Sequence, residues 1–549
     1  MTEKNQHHNS LLNPAAVPIA FHQLPIKEQL AQIHLAHGKD KHQLIFNCSK
    51  PEVLVPRLHP QELYLTINEL GAEDSLELIS LASTDQIALI LDLDCWDRDT
   101  LDPDASLNWL DFLQNCDEDK ICQLAREAEP ETLALMLKKH LTIIRGLEAY
   151  DDDDAENAKR LEAIYDIEYR SEDAAKIIGA LIKVWQEREQ DHFLQIMEIL
   201  RSESETILEE EVYQRRSARL LDLGIIPLLE AREIYAWVNP ETFSTQDKKD
   251  FQLEAETLPN PMALLKAATP HHLLAGILED GIPHEIACEM LHLVNRKLSA
   301  DNVDLSLPAA IREALQETYD CINLALEYLA KKDLEKASLI FHDTWLQRLF
   351  QLGHSLISRE VNRARAIKKQ TVFNYFDESQ TLFVDLLTQQ PVRFYCEGCS
   401  ASPDNISPIS TMEQIQRIEG RLTQLESLIK LFCGPFACLL RELSPEAKDS
   451  HSLSGILMTA MANQALGHGF SPTPLDLTQL SQLKNHTIVA NKPTEPFSSN
   501  TRQTILTADN SCSFFADNCL EQWCDFFRLF DENLSSPEGQ DFLLLVGKR

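Results

Sequence analysis

Glycine is scarce in this chain, at 16 of 549 residues. None of the sixteen falls in a G-x-x-x-x-G-K-[ST], G-x-G-x-x-G or G-x-S-x-G arrangement. Loops that cradle a phosphate on backbone amides, and the sharp turn that presents a hydrolase serine, need such spacing. These absences weaken the nucleotide and hydrolase readings and do not exclude catalysis by an unfamiliar site. Positive charge is short as well: 50 Lys and Arg stand against 86 Asp and Glu, a net charge of −36. So acidic a surface repels phosphate backbones and anionic headgroups, and nucleic acid is not an expected partner. Long apolar runs are missing. Ala175–Trp185 is too short to cross a bilayer, and Leu425–Leu440 is interrupted by Lys430 and Pro435. Membrane insertion is not expected. The opening residues MTEKNQHHNSLLNPAAVPIAF lack the basic and apolar stretches of a secretory signal. Thirteen cysteines, an odd number without framework spacing, fit reduced thiols. The compartment expected from these absences is the cytoplasm.

What remains is a globular, helical composition, with 44% apolar and 25% charged residues and few β-branched runs. The length predicts roughly three to four packed units. Residues 1–50 read as a polar arm with one helix over Ile26–His37. From His59 to Leu147 short amphipathic patterns follow one another, each with its own start signal. Pro60 opens the first and Gly71 closes it; Glu73-Asp74 open the second, Thr84 the third, Asp102-Pro103 the fourth, Asp117 the fifth and Pro130 the sixth. Helices this short bury their apolar stripes only against neighbours, so residues 51–147 read as one cooperative helical-repeat domain. Residues 148–240 read as a long helical hairpin region, with Trp185, Phe193, Ile196, Ile199 and Leu200 as its seam. Residues 241–370 read as a helical hairpin domain, pairing Leu307–Lys331 with Leu334–Lys369. Residues 371–549 read as a mostly helical C-terminal unit with a loop-rich segment over 485–509 and an aromatic helix over Phe514–Phe530. The expected fold class is all-α: an irregular superhelical stack of short helices, then longer helical hairpins, then a less regular C-terminal helical unit.

Several of these residues carry resemblances. Leu58-His59-Pro60-Gln61-Glu62-Leu63, with Asp85-Gln86-Ile87-Ala88, resembles the cytosolic N-terminal superhelical domain of MgtE magnesium transporters over residues 58–147. No transmembrane half follows it here, so the resemblance implies architecture and not transport. The run Leu91-Asp92-Leu93-Asp94-Cys95-Trp96-Asp97-Arg98-Asp99, then Leu101-Asp102-Pro103, is similar to an uncharacterised family of bacterial all-helical proteins. So is Arg219-Leu220-Leu221-Asp222-Leu223-Gly224, followed by Ala231, Glu233, Ile234 and Tyr235. That resemblance spans about residues 40 to 390, implies a helical fold and brings no activity with it. The stretch around Ala325–Ala337 looks like a single helical hairpin of the tetratricopeptide type.

Five groups of residues are candidates for chemistry. The acidic turn Asp92, Asp94, Asp97, Asp99, Asp102 and Asp104 surrounds Trp96, and alternating carboxylates suit a hard divalent cation such as magnesium. The EF-hand pattern is absent, since Trp96 takes the third ligand position and the turn glycine and closing glutamate are missing. The alternative is that Trp96 and Leu101 anchor the turn while the aspartates cap helices and face water; Trp96, Asp97, Asp99 and Asp102 would then be open to a partner. Asp151–Asp154 reads as a solvated linker, with cation binding alongside the acidic turn as the alternative. His284, Cys288 and His292 share a helical face, but the outer pair lie about 12 Å apart along the axis, too far for one tetrahedron. They read as a packing stripe. Cys396 and Cys399 have zinc-ligand spacing, and Cys433 with Cys438 would have to complete the site; a redox pair is the other reading. Arg359, Arg363, Arg365, Lys368 and Lys369 form one basic helix, expected to pair with acidic neighbours.

No catalytic signature emerges, and the sequence leans away from an enzyme. The leading expectation is a cytosolic helical-repeat protein that binds another protein as a scaffold or regulatory module, without a cofactor. The alternatives are a divalent-cation-responsive regulator using the turn 92–104, and a zinc- or thiol-dependent protein centred on Cys396 and Cys399. The partner and the oligomeric state are not legible.

Overall fold

The structure is a computed structural model that describes residues 21, 24–36, 38–48, 50–145, 165–245, 248, 261–279, 281–303, 307–395, 406–443 and 452–529. It is all-α. Among the described residues the strands amount to four short antiparallel pairs. The chain divides into two compact units: Met1–Ala236 with Ser244–Ile322 and Lys332–Gln351, and Trp237–Phe243 with Asn323–Lys331 and Leu352–Arg549.

In the first unit the start signals act where the sequence places them. Pro60–Leu70 begins with proline in its first turn and ends at Gly71, whose φ of 88° suits a residue without a side chain. Ala72–Leu81, Thr84–Asp94, Pro103–Gln114, Glu118–Glu127 and Pro130–Lys138 follow. The third of the six is capped by Ser83 rather than Thr84: the Ser83 hydroxyl accepts from the Gln86 amide, and the Gln86 side chain closes a capping box. Asp102 and Asp117 cap the fourth and fifth. The apolar stripes meet in one core running from Phe21 to Leu220.

The structure corrects the expected divisions. The boundary drawn at 147/148 separates nothing compact, because Gln190–Ser202 packs on Pro130–Lys138 and Glu172–Arg188 packs on Pro103–Gln114. The long hairpin is three helices, Glu172–Arg188, Gln190–Ser202 and Glu205–Asp222, broken at Glu189 and restarted by the Ser204 cap. Its seam is as expected, with Trp185, Phe193, Ile196 and Leu200 buried and Ile199 half-buried. A strand pair, Leu141–Arg145 with Asp166–Tyr169, was not legible beforehand. The arm holds two helices, Ile26–Ile33 and Gly38–Phe46. The helix expected over Leu334–Lys369 is split into Leu334–Asp343 and Leu346–Lys368, since the Glu289 carboxylate accepts from the Leu346 amide and starts a new helix there. Asp151–Asp154 lies outside the described residues.

The second unit is built round Leu453–Ala465, buried on every face from Leu453 to Asn463. The Asn463 amide is satisfied there by the carbonyls of Ser471 and Thr473, at 3.0 and 2.8 Å. The loop-rich expectation for 485–509 is overturned. That stretch holds the end of Leu477–Thr487, a hairpin of Ile488–Val489 with Lys492–Pro493, and the helix Glu495–Ala508. Phe497, Thr501 and Ile505, spaced by four, form the buried stripe that its Ser, Asn and Pro content obscures. The aromatic helix is Ser513–Leu529, with Trp523 fully buried against Phe497.

Candidate functional site

The acidic turn is a β-hairpin. Trp96 pairs with Leu101 and Asp97 with Thr100, leaving Arg98 and Asp99 at the tip. A two-residue turn of this kind needs positive φ, and Arg98 adopts 59°. Three bonds fix the hairpin at its base. The Cys95 carbonyl accepts from the Asp102 amide at 2.8 Å; the Leu101 amide donates to Glu209 at 2.8 Å; Glu209 is itself held by Lys139 at 2.8 Å. Behind the hairpin the Trp96 ring lies 5.9 Å from Tyr213 and 5.2 Å from the Arg216 guanidinium.

The aspartates expected to share a cation go separate ways. Asp92, 2% exposed, takes a bidentate pair from Arg219 at 2.7 and 2.9 Å. Burial raises the Asp92 carboxyl above its ordinary range, against the pull of Arg219. Asp94 accepts from the Tyr64 hydroxyl and the Trp109 indole, both at 2.6 Å. Asp102 caps Pro103–Gln114 through the amides of Asp104 and Ala105. Asp97 and Asp99 stay exposed at the tip. Asp92, Asp94, Asp97 and Asp99 thus do not converge on one point. Among the described residues no three His, Cys, Asp or Glu side chains are grouped to hold a metal ion. Trp96 and Leu101 do anchor the turn, as the alternative reading expects.

The motifs that carry the resemblances are wired to one another. Arg219 reaches Asp92, and its Nη1 donates to Glu129 at 2.7 Å. Arg216, three residues earlier, donates from Nε to the Asp92 carbonyl at 2.8 Å. Gln61 and Asn295 exchange amide hydrogen bonds of 3.0 and 3.1 Å, and Asn295 also donates to the Leu223 carbonyl at 2.8 Å. Gly224, at φ 81°, sits against the helix His284–Asp301 so closely that a Cβ would lie 2.9 Å from the His292 Cα. His59 caps Pro60–Leu70 with Nδ1 accepting from the Gln61 amide. Burial, helped by His292 and His34 against Glu62, pushes its imidazole down to about 4. Glu62 is buried as well. Burial alone would raise its carboxyl, but His34 at 3.0 Å and Lys41 at 2.5 Å hold it below the ordinary range.

This framework opens on a cavity of about 1200 Å³, lined by Trp96, Asp97, Asp99, Tyr213, Arg216 and Ile225 among others. A second cavity of about 490 Å³ adjoins it, and Ile226 lines both. Sequence reasoning singled out the hairpin but missed Tyr213 and Arg216. Their spacing by three, continued to Arg219, was the available signal, since it puts all three along one side of Glu205–Asp222. Of the histidine–cysteine stripe, Cys288 packs inward with its thiol 3.6 Å from His284 Nε2, while His292 lines the second cavity.

The remaining candidates lie in the second unit. Cys433 ends Met412–Cys433, and Cys438 lies in Ala437–Arg441; both are exposed. Cys396 and Cys399 lie outside the described residues. The basic helix pairs internally as expected, Arg363 with Glu360 and Glu426, and Lys368 with Asp385.

Comparison with known proteins gives one match. A family model described as a family of unknown function (DUF6178) matches residues 18–546, and the chain belongs to that family. The match runs well beyond the 40 to 390 that the motifs suggested. No curated protein and no solved structure matches, so the likeness of residues 58–147 to the magnesium transporters rests on those residues alone.

Proposed function

We propose that this member of a family of unknown function is a cytoplasmic, non-enzymatic protein-binding module, with the hairpin 96–101 and its cavity as the binding site. One observation carries the reading. The hairpin's exposed tip is held from behind by buried, paired groups and stands at the edge of a cavity of about 1200 Å³. Rigid presentation of this kind lowers the ordering cost of binding. The acids beneath the tip are spent on structure, Asp92 on Arg219 and Asp94 on Tyr64 and Trp109, which favours contact over proton transfer. Trp96, Asp97, Asp99 and Asp102 are the residues assigned to the partner. No helix among the described residues is long and apolar enough to cross a membrane.

The test is affinity capture from native lysate with tagged wild-type protein and the Trp96→Ala variant, both checked for helix content by circular dichroism. The reading expects one protein retained near stoichiometry by wild type and lost from the folded variant. Equal retention by both would remove the hairpin from the binding site.

A further inference from the structure

The cavity beside the hairpin has a chemical bias that narrows the kind of partner. Its carboxylates fall into two sets. Asp94 and Asp102 are hydrogen-bonded within the fold. The Asp97 carboxylate makes no hydrogen bond or ion pair among the described residues, and that of Asp99 meets only the Thr100 hydroxyl, at 3.4 Å. The cations beneath them are committed. Arg219 holds Asp92 and Glu129, while Arg216 is spent on the carbonyls of Asp92 and Arg98 and on the faces of Trp96 and Tyr213. At the tip itself Arg98 lies exposed between the two carboxylates. The same cavity has apolar lining from Ile225, Ile226 and Leu228, and Leu228 is 36% exposed. A net charge of −36 attracts cations at long range and repels both anions and a second copy of the chain.

We propose that this cavity takes an extended segment of a partner protein that carries lysine or arginine, with its cationic groups on Asp97 and Asp99. The aliphatic stems and apolar neighbours of those residues lie on Trp96, Ile225 and Leu228. Long basic side chains suit such a site because they bury their stems on apolar surface while keeping the charge at the rim. This assignment rests on the partner-binding reading above and adds the chemistry of the partner to it.

The probes are fluorescently labelled nona-arginine and nona-lysine, with nona-glutamate and spermidine as comparisons, titrated at about 0.15 M salt, where charges beyond roughly 8 Å are screened. Two double variants remove the same charge: Asp97→Asn with Asp99→Asn, and Asp166→Asn with Glu168→Gln on the exposed positions of the strand Asp166–Tyr169. The expected result is saturable 1:1 binding of both basic peptides, weakened about five- to tenfold by the hairpin pair and less than about twofold by the strand pair. Equal weakening by the two pairs would mean diffuse attraction to net charge, and would overturn the proposal. So would spermidine competing as well as the peptides, which would make the occupant a polyamine. If the basic peptides fail to bind while capture still depends on Trp96, this proposal falls and the partner-binding reading stands. If capture is also independent of Trp96, both fall.

Discussion

Removing the Arg219 guanidinium would leave Asp92, 2% exposed, as a buried carboxylate without its bidentate partner. Breaking a buried pair from one side costs on the order of 3 kcal/mol. Arg219→Ala should therefore lower the urea midpoint clearly, and Arg219→Lys should recover part of the loss, because one point charge cannot replace two parallel bonds. A midpoint unchanged in Arg219→Ala would show that Asp92 finds other relief. His59 gives a pH dependence of known sign. Its folded value of about 4 lies below the ordinary 6.5, so the unfolded chain takes up a proton that the folded one refuses. Its contribution is intact above about pH 6.5 and is lost as pH falls toward 4, on the order of 2 kcal/mol by pH 5. Glu62, held below its ordinary range, loses its contribution on further acidification, whereas Asp92, raised by burial, works in the opposite direction. His59→Asn keeps a cap acceptor but removes the proton. It should flatten the fall in melting temperature between pH 7 and 5, and an unchanged slope would contradict the assignment.

At the scale of elements, the turn at Gly224 joins Glu205–Asp222 to the helix His284–Asp301 through a contact too close for a side chain. Gly224→Ala meets both a positive φ and the His292 backbone, and should cost about 2 kcal/mol or more, read as a drop in melting temperature. By contrast Gly420, inside Met412–Cys433 with nothing within 4 Å of its would-be Cβ, should be stabilised by alanine, by up to about 1 kcal/mol. The same elements show how far the sequence could be read. Caps and prolines act within a few residues, so the starts of the six short helices from Pro60 to Pro130 were legible to within one residue or so. The hairpin 96–101 was visible only as an acidic turn, because its strands are two residues long and carry no alternation. Its support was not visible. Glu209, Arg216 and Arg219 lie more than a hundred residues away, and no local rule links Asp92 to Arg219 or Gln61 to Asn295. Segment 485–509 was misread because its polar residues face outward while three buried ones hold the helix.

For the whole molecule, charge and packing set the terms. A net charge of −36 opposes compaction, and added salt screens it. Raising sodium chloride from about 0.02 to about 0.3 M should raise the melting temperature, and a fall would mean that paired charges such as Arg219–Asp92 dominate over the global repulsion. The two units have separate apolar cores, one from Phe21 to Leu220 and one from Leu324 to Phe527. The residues proposed for binding all belong to the first unit. Its design concentrates distant stretches of sequence behind one small exposed hairpin. The most direct measurement of that hairpin's role places a photo-crosslinking benzoyl-phenylalanine at the exposed position 100, which leaves Asp97 and Asp99 in place, and separately at the exposed position 168, in the native protein within its own lysate. One discrete cross-linked product of defined mass from position 100, and none from position 168, is the result this account predicts. The same products from both positions, or a product from position 168 alone, would contradict it.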